Sequence, residues 1–255
     1  MEKPELMHSL MEPRALLEAL SLAIYWPIAI RKPKGDAQPV LVIPGFMTGD
    51  GATYALRRYL DRHGFEAHPW QQGRNPGLRA DIFDALQQRL EQLHDQYGQK
   101  VAIVGWSLGG LYARALAHRK PALTSQVITL GSPFTVDTRP DVEVGVSDNI
   151  RKLYERLNPN LDEDELINGE PFWQATPPVP TTAIYSKTDG IANWRYCVDE
   201  QTSAHNENIA VIGSHMGLTH NPIAFHLLLN RLQQSGKGFT RYRPSGVSRL
   251  LYQAG

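Results

Sequence analysis

Three residue types that cooperate in nucleophilic catalysis each follow a short apolar run in this 255-residue chain: Ser107 after Val101–Val104, Asp189 after Thr182–Tyr185, and His215 after Ile209–Ile212. A serine hydroxyl is a poor nucleophile near neutral pH, so it needs a base within hydrogen-bond reach and a group that orients the base. Imidazole suits the first task and a carboxylate the second. Ser107 stands in Gly105-Trp106-Ser107-Leu108-Gly109. The two glycines fall where a strand and the following helix approach closely, and a β-carbon there would push them apart. Leu108, Leu111, Tyr112, Ala115 and Leu116 recur at helical spacing, which predicts Ser107 at a helix N-terminus. Free N–H groups and the helix dipole favour developing negative charge at that position.

Gly109–Ala117 (GGLYARALA) and Leu130-Gly131-Ser132-Pro133-Phe134 resemble bacterial serine lipases and esterases of the α/β-hydrolase superfamily. The resemblance implies an α/β fold whose mostly parallel central sheet is flanked by helices and carries a small cap or lid insertion. It also implies the triad order serine, acid, histidine. Ser107, Asp189 and His215 occur in that order. The run Gly213-Ser214-His215-Met216-Gly217-Leu218 resembles the family's H-x-G-L setting, and Tyr185–Asp189 (YSKTD) its acid-bearing turn. His220, beside a helix start, competes as base, and Asp137, after the preceding strand, competes as acid.

In the superfamily the loop after the first strand supplies one oxyanion-hole N–H, often following a His-Gly pair. Here Pro44 replaces that histidine, and the implied donors are Phe46 N–H, with Met47 second, and Leu108 N–H. Met47, Trp106, Phe134, Phe172, Trp173 and Met216 are candidate pocket residues. The activity implied is cofactor-free cleavage of carboxylic esters through an acyl-enzyme, on hydrophobic acyl substrates. Thioesterase and acyltransferase chemistry share this site, and a non-catalytic acyl-binding protein is the reading from a different class. A serine nucleophile argues against dehalogenases of this fold, which use aspartate.

Positioning these groups requires alternating strands and helices. Apolar runs predict strands at Val40–Ile43, Phe65–Trp70, Val101–Val104, Val127–Leu130, Thr182–Tyr185 and Ile209–Ile212. Helices are predicted around Leu56–Leu60, from Ile82 to a stop at Gly98, after Ser107, and from Asn221-Pro222 to Leu232. The expected organisation is an apolar helical segment over 1–38, a core over 39–134 and 181–235 whose last strand is Ile209–Ile212, an insertion over 135–180 with helices near 149–157 and 162–167, and a basic tail over 236–255 that is solvated or loosely docked. The apolar stretch Ala15–Ile30 is interrupted by Glu18 and Pro27, so it is expected to pack its apolar side on the domain rather than span a bilayer. Contact with a membrane interface is the lesser expectation for this stretch and for the tail.

Composition narrows the partners. Lys+Arg and Asp+Glu both number 26, which removes any global electrostatic case for nucleic acid. Cys197 is the only cysteine, so no intrachain disulfide can form, in keeping with a cytoplasmic location. No H-E-x-x-H motif or cysteine–histidine cluster signals a metal. The expected partner is a small-molecule or lipid ester.

Overall fold

Strand β3 (Val101–Trp106) lies at the middle of the molecule, every residue buried, and delivers Ser107 at its C-terminal end. The computed structural model describes residues 3–25, 37–135, 145–159, 173–200, 203–234, 238–246 and 248–254. Five further parallel strands join it: β1 (Pro39–Ile43), β2 (Glu66–Pro69), β4 (Thr124–Leu130), β5 (Thr181–Tyr185) and β6 (Asn206–Val211). The sheet order is β2-β1-β3-β4-β5-β6-β7, with β7 (Tyr252–Ala254) antiparallel to β6.

Burial on both faces explains the continuous apolar runs, because successive side chains point to opposite sides of a sheet. Leu41, Ile43, Val101 and Ile103 pack in one cluster with residues of α4 (Ala80–Tyr97) and α5 (Leu108–Arg119). Val40, Val42, Ala102 and Val104 pack in the other with α3 (Tyr54–Arg62) and α7 (Pro222–Leu232). Each of these valine, leucine and isoleucine side chains contributes about 1.5–3 kcal/mol by leaving water. Helix ends follow local rules. Gly98 stops α4 at φ 63°, a left-handed conformation that costs glycine little. The Asn221 side chain accepts from the N–H groups of Ile223 and Ala224 at the start of α7.

Three expectations are corrected. The N-terminal segment forms α1 (Leu6–Leu10), a 3-10 turn (Glu12–Arg14) and α2 (Ala15–Tyr25), but its apolar side faces solvent. Leu16, Leu17, Leu20 and Ile24 are exposed and only Leu22 is buried, because the inner side is given to polar groups that bind the loops beneath. The basic tail is docked rather than loose: Tyr242 N–H donates to Glu207 Oε2 at 2.6 Å, and α8 (Ser248–Leu251) leads into β7. Its pairing satisfies the backbone groups of β6 that would otherwise form an open edge. A strand therefore follows the one expected to be last.

Within the insertion, α6 (Asp148–Leu157) forms where a helix was expected. The second expected helix, at 162–167, lies outside the described residues. Among the described residues no helix is long and apolar enough to cross a membrane.

Candidate active site

Parallel strands present their C-terminal ends together, and the candidate residues gather along that edge. Ser107 adopts φ 53° and ψ −126°, a conformation sparsely populated by residues with a β-carbon. Such strain persists where the surroundings over-determine it. Here Ser107 N–H donates to Leu130 O at 2.9 Å, while Gly110 N–H donates to Ser107 O at 2.9 Å. A β-carbon on Gly105 would lie 2.4 Å from Gly109 O, and one on Gly109 would lie 2.4 Å from Ile43 O. Both glycines are demanded by contact with backbone, which cannot swing aside.

The loop after β1 reaches the same point. A β-carbon on Gly45 would stand 3.0 Å from Ser107 Cβ, so Phe46 follows directly from the residue that meets Ser107. Leu108 opens α5, and its N–H has no partner within the helix. Among the described residues, neither the Phe46 nor the Leu108 N–H is used in a hydrogen bond. Met47 is excluded as the second donor, since its N–H is already given to Asn75 O at 2.7 Å. Asn75 is fully buried and also donates from Nδ2 to Pro44 O at 2.9 Å, so it shapes this loop from below. Nothing but its place in an Asn-Pro turn marked it in the sequence.

His215 and Asp189 form a buried pair, Nδ1 to Oδ2 at 2.6 Å. The other carboxylate oxygen accepts from Ile191 N–H at 2.8 Å and Ala192 N–H at 2.7 Å, which fixes its orientation. Trp106, the residue before Ser107, donates its indole N–H to His215 O at 3.1 Å, and its ring lies 5.9 Å from the imidazole. No hydrogen bond joins the Ser107 hydroxyl to His215 among the described residues. Burial disfavours the imidazolium, but the Asp189 charge, its hydrogen bond and the Glu12 charge outweigh it and hold His215 above the ordinary imidazole value. His220 bonds Thr219 Oγ1 at 2.9 Å rather than a carboxylate. Asp137 lies outside the described residues.

With this geometry in view, the chain matches the model of the alpha/beta hydrolase family over residues 40–244. The chain belongs to this family. Among solved structures it is similar to Aspergillus fumigatus lipase B, at 18% identity and TM-score 0.58, covering 79% of this chain and 54% of that one. It thus spans about half the length of that lipase. It is also similar to a monoacylglycerol lipase of Paleococcus ferrophilus, at 14% identity and TM-score 0.54, over 78% of this chain and 96% of that one. A third similar structure is 2-hydroxy-6-oxo-6-phenylhexa-2,4-dienoate hydrolase from Rhodococcus sp. strain RHA1, at 15% identity and TM-score 0.53, covering 81% and 98% respectively. At these identities the likeness is one of fold. No match is found among curated proteins.

On this α/β-hydrolase frame three pocket expectations are corrected. Phe134 and Trp173 belong to the buried core cluster rather than to an open cleft. The Arg114 guanidinium explains this. It is fully buried on α5, lies 3.6 Å from the Phe134 ring centroid and donates to Trp173 O at 2.6 Å. A buried cation must be paired, and Asp199 answers it at 2.7 Å. Trp106 is likewise buried beneath His215. Met47 is partly exposed and Met216 is 41% exposed, both on the loops that carry the site. Phe172 lies outside the described residues. The insertion leans over the loop after β1, with the Phe46 and Tyr154 rings 5.2 Å apart and Tyr154 Oη accepting from Leu78 N–H at 3.3 Å.

The sequence reading missed the groups that tie the acid and histidine loops together. Glu12 Oε1 accepts from Gly190 N–H and His215 N–H, both at 2.9 Å, and Oε2 accepts from Met216 N–H at 3.1 Å. Arg14 Nη2 donates to Thr188 O at 2.6 Å and Gly213 O at 2.8 Å. Glu18 Oε1 accepts from Ser214 N–H at 2.8 Å. Burial raises the Glu18 pKa, against lowering by its Ser214 bonds and by Arg14. The N-terminal segment is therefore a strap bonded to both loops by its polar side.

Proposed function

We propose that this protein is a carboxylester hydrolase acting through an acyl-enzyme, with Ser107 as nucleophile, His215 as base and Asp189 as its orienting acid. The observation that carries the reading is the buried 2.6 Å His215–Asp189 pair beside a serine held at φ 53°. In the reaction, His215 Nε2 takes the Ser107 hydroxyl proton as Oγ adds to the ester carbonyl carbon. The oxyanion is met by the Phe46 and Leu108 N–H groups, each contributing about 3 kcal/mol in comparable sites. Collapse breaks the carbon–alkoxide bond, and the imidazolium gives its proton to the departing alcohol. Water, deprotonated by the same imidazole, then attacks the acyl-serine and releases the acid.

A hydrophobic acyl group is the substrate favoured, because Met47 and Met216, neither fully buried, directly follow Phe46 and His215 in the chain. Hydrolysis of p-nitrophenyl esters from acetate to palmitate tests this, comparing the wild type with Ser107→Ala. Turnover lost in the variant, with a longer-chain optimum in the wild type, is expected. Equal rates in both proteins, or none on any ester, would remove the proposal in favour of thioesters, an alcohol acceptor or ligand binding alone.

A further inference from the structure

The strap is amphipathic in the reverse of the usual sense. Leu6, Leu10, Leu16 and Ile24 are each more than 70% exposed, and Met7, Leu17 and Leu20 more than 60%. Between Leu6 and Ile24 no exposed position carries a charge, since Glu12, Arg14 and Glu18 are all turned onto the loops beneath. Ser21, the exposed hydroxyl in that span, donates to Glu18 O at 2.7 Å within its own helix. The face thus offers apolar area with almost no group for a directed bond. A contiguous apolar surface of this kind marks an interaction site in soluble proteins.

The charges at its end are cationic. Leu22 and Tyr25 of α2 pack in the same cluster as Leu251 and Tyr252, which brings the C-terminal segment beside the strap. From Pro222 to the C-terminus the sequence holds no acidic residue. Arg241, Arg243 and Arg249 are exposed there, and Leu250 is 77% exposed. Tyr242, between the first two arginines, is held by Glu207. At the opposite end Glu5 is exposed, 3.8 Å from His8, and Asp148 is paired with Lys3.

We infer that the outward face of the strap, with the arginines beside it, docks this protein on an anionic lipid surface. Hydrocarbon accepts an apolar face that lacks hydrogen-bonding groups, whereas a protein partner ordinarily supplies about one hydrogen bond per 100–200 Å². The arginines supply attraction to anionic headgroups, roughly fivefold in affinity per cation near the surface. Docking in this way leaves the strap between the lipid and the loop of His215 and Met216, which Glu12 bonds from the strap's inner side.

Cosedimentation of the full chain with vesicles of phosphatidylcholine alone, and of phosphatidylcholine with phosphatidylglycerol, tests the inference independently of any ester turnover. The wild type is expected to sediment with the anionic vesicles. Leu16→Glu with Leu20→Glu should weaken binding at least tenfold, and Arg243→Gln with Arg249→Gln should weaken it on anionic vesicles only. Thermal midpoints matching the wild type establish that the variants are folded, since all four positions are exposed. Wild-type protein left in the supernatant with both vesicles would overturn the inference. So would binding indifferent to the leucine changes, or a lipid-free dimer that those changes dissociate, which would make a second copy the occupant.

Discussion

Glu12 and His215 are joined through the backbone: His215 N–H donates to Glu12 Oε1 at 2.9 Å, and the same oxygen receives Gly190 N–H next to Asp189. One carboxylate on the N-terminal strap therefore ties the two loops that carry His215 and Asp189. Its charge also helps to hold the His215 imidazolium.

Replacing Glu12 separates these two effects. Glu12→Ala leaves three N–H groups without their acceptor, and kcat/KM is expected to fall by about tenfold to a hundredfold, the worth of a charge-assisted hydrogen bond. Glu12→Gln retains an acceptor oxygen and should recover much of the rate. In both variants the acidic limb of the pH–rate profile should move to lower pH, because the supporting charge is gone. A Gln variant with the wild-type profile would show that the charge does not reach His215.

The base must be neutral to accept a proton, so kcat/KM is expected to fall as pH drops through the His215 pKa. That midpoint should lie above the ordinary imidazole value of about 6.5. The stability consequence has the opposite sense. A raised folded pKa contributes stability that is complete below the unfolded value and is lost as pH rises through the folded one. The difference in Tm between wild type and His215→Gln, followed across that window, should shrink toward alkaline pH.

Asp189→Asn keeps an acceptor for Ile191 and Ala192 N–H but removes the charge that opposes the desolvation of His215. Activity is expected to drop by about 10⁴-fold, as in comparable triads whose imidazole is left in the wrong tautomer. The residual rate should titrate below the ordinary imidazole range. Retained near-ultraviolet circular dichroism would assign the loss to chemistry rather than unfolding.

Gly131 closes β4 at φ 56°, directly under the pair. A β-carbon there would lie 3.2 Å from Asp189 Oδ2, 3.3 Å from His215 Nδ1 and 2.8 Å from Leu218 Cδ1. Gly131→Ala is expected to cost about 1–3 kcal/mol in urea unfolding, from overpacking and the left-handed backbone. It should lower kcat more than it raises KM, because the displaced groups are the proposed base and the carboxylate that orients it.

The candidate triad was legible because each member announces itself locally. Ser107 sits between two glycines that backbone contact requires, and Asp189 and His215 follow apolar runs that only a doubly covered sheet can bury. The strands were legible as continuous apolar runs and the long helices as burial recurring about every four residues. Asn75 left almost no signal, because its effect depends on Pro44 O and Met47 N–H, brought to it from the other side of a helix. Phe134 and Trp173 read as pocket aromatics until the pairing of Arg114 with Asp199 put a buried guanidinium beside them.

The strap marks the sharpest division. Its composition established that the segment is helical and apolar, with a few charges spaced along it. Which side turns inward followed from bonds spanning 174 to 204 positions in the chain, Arg14 to Thr188 and Glu12 to Met216 among them. Leucines surround most of α2, so periodicity alone does not select an inner face. Exposed N–H and C=O groups on the loops of Asp189 and His215 need partners, and a carboxylate or guanidinium that satisfies several at once outweighs the burial of a few leucines.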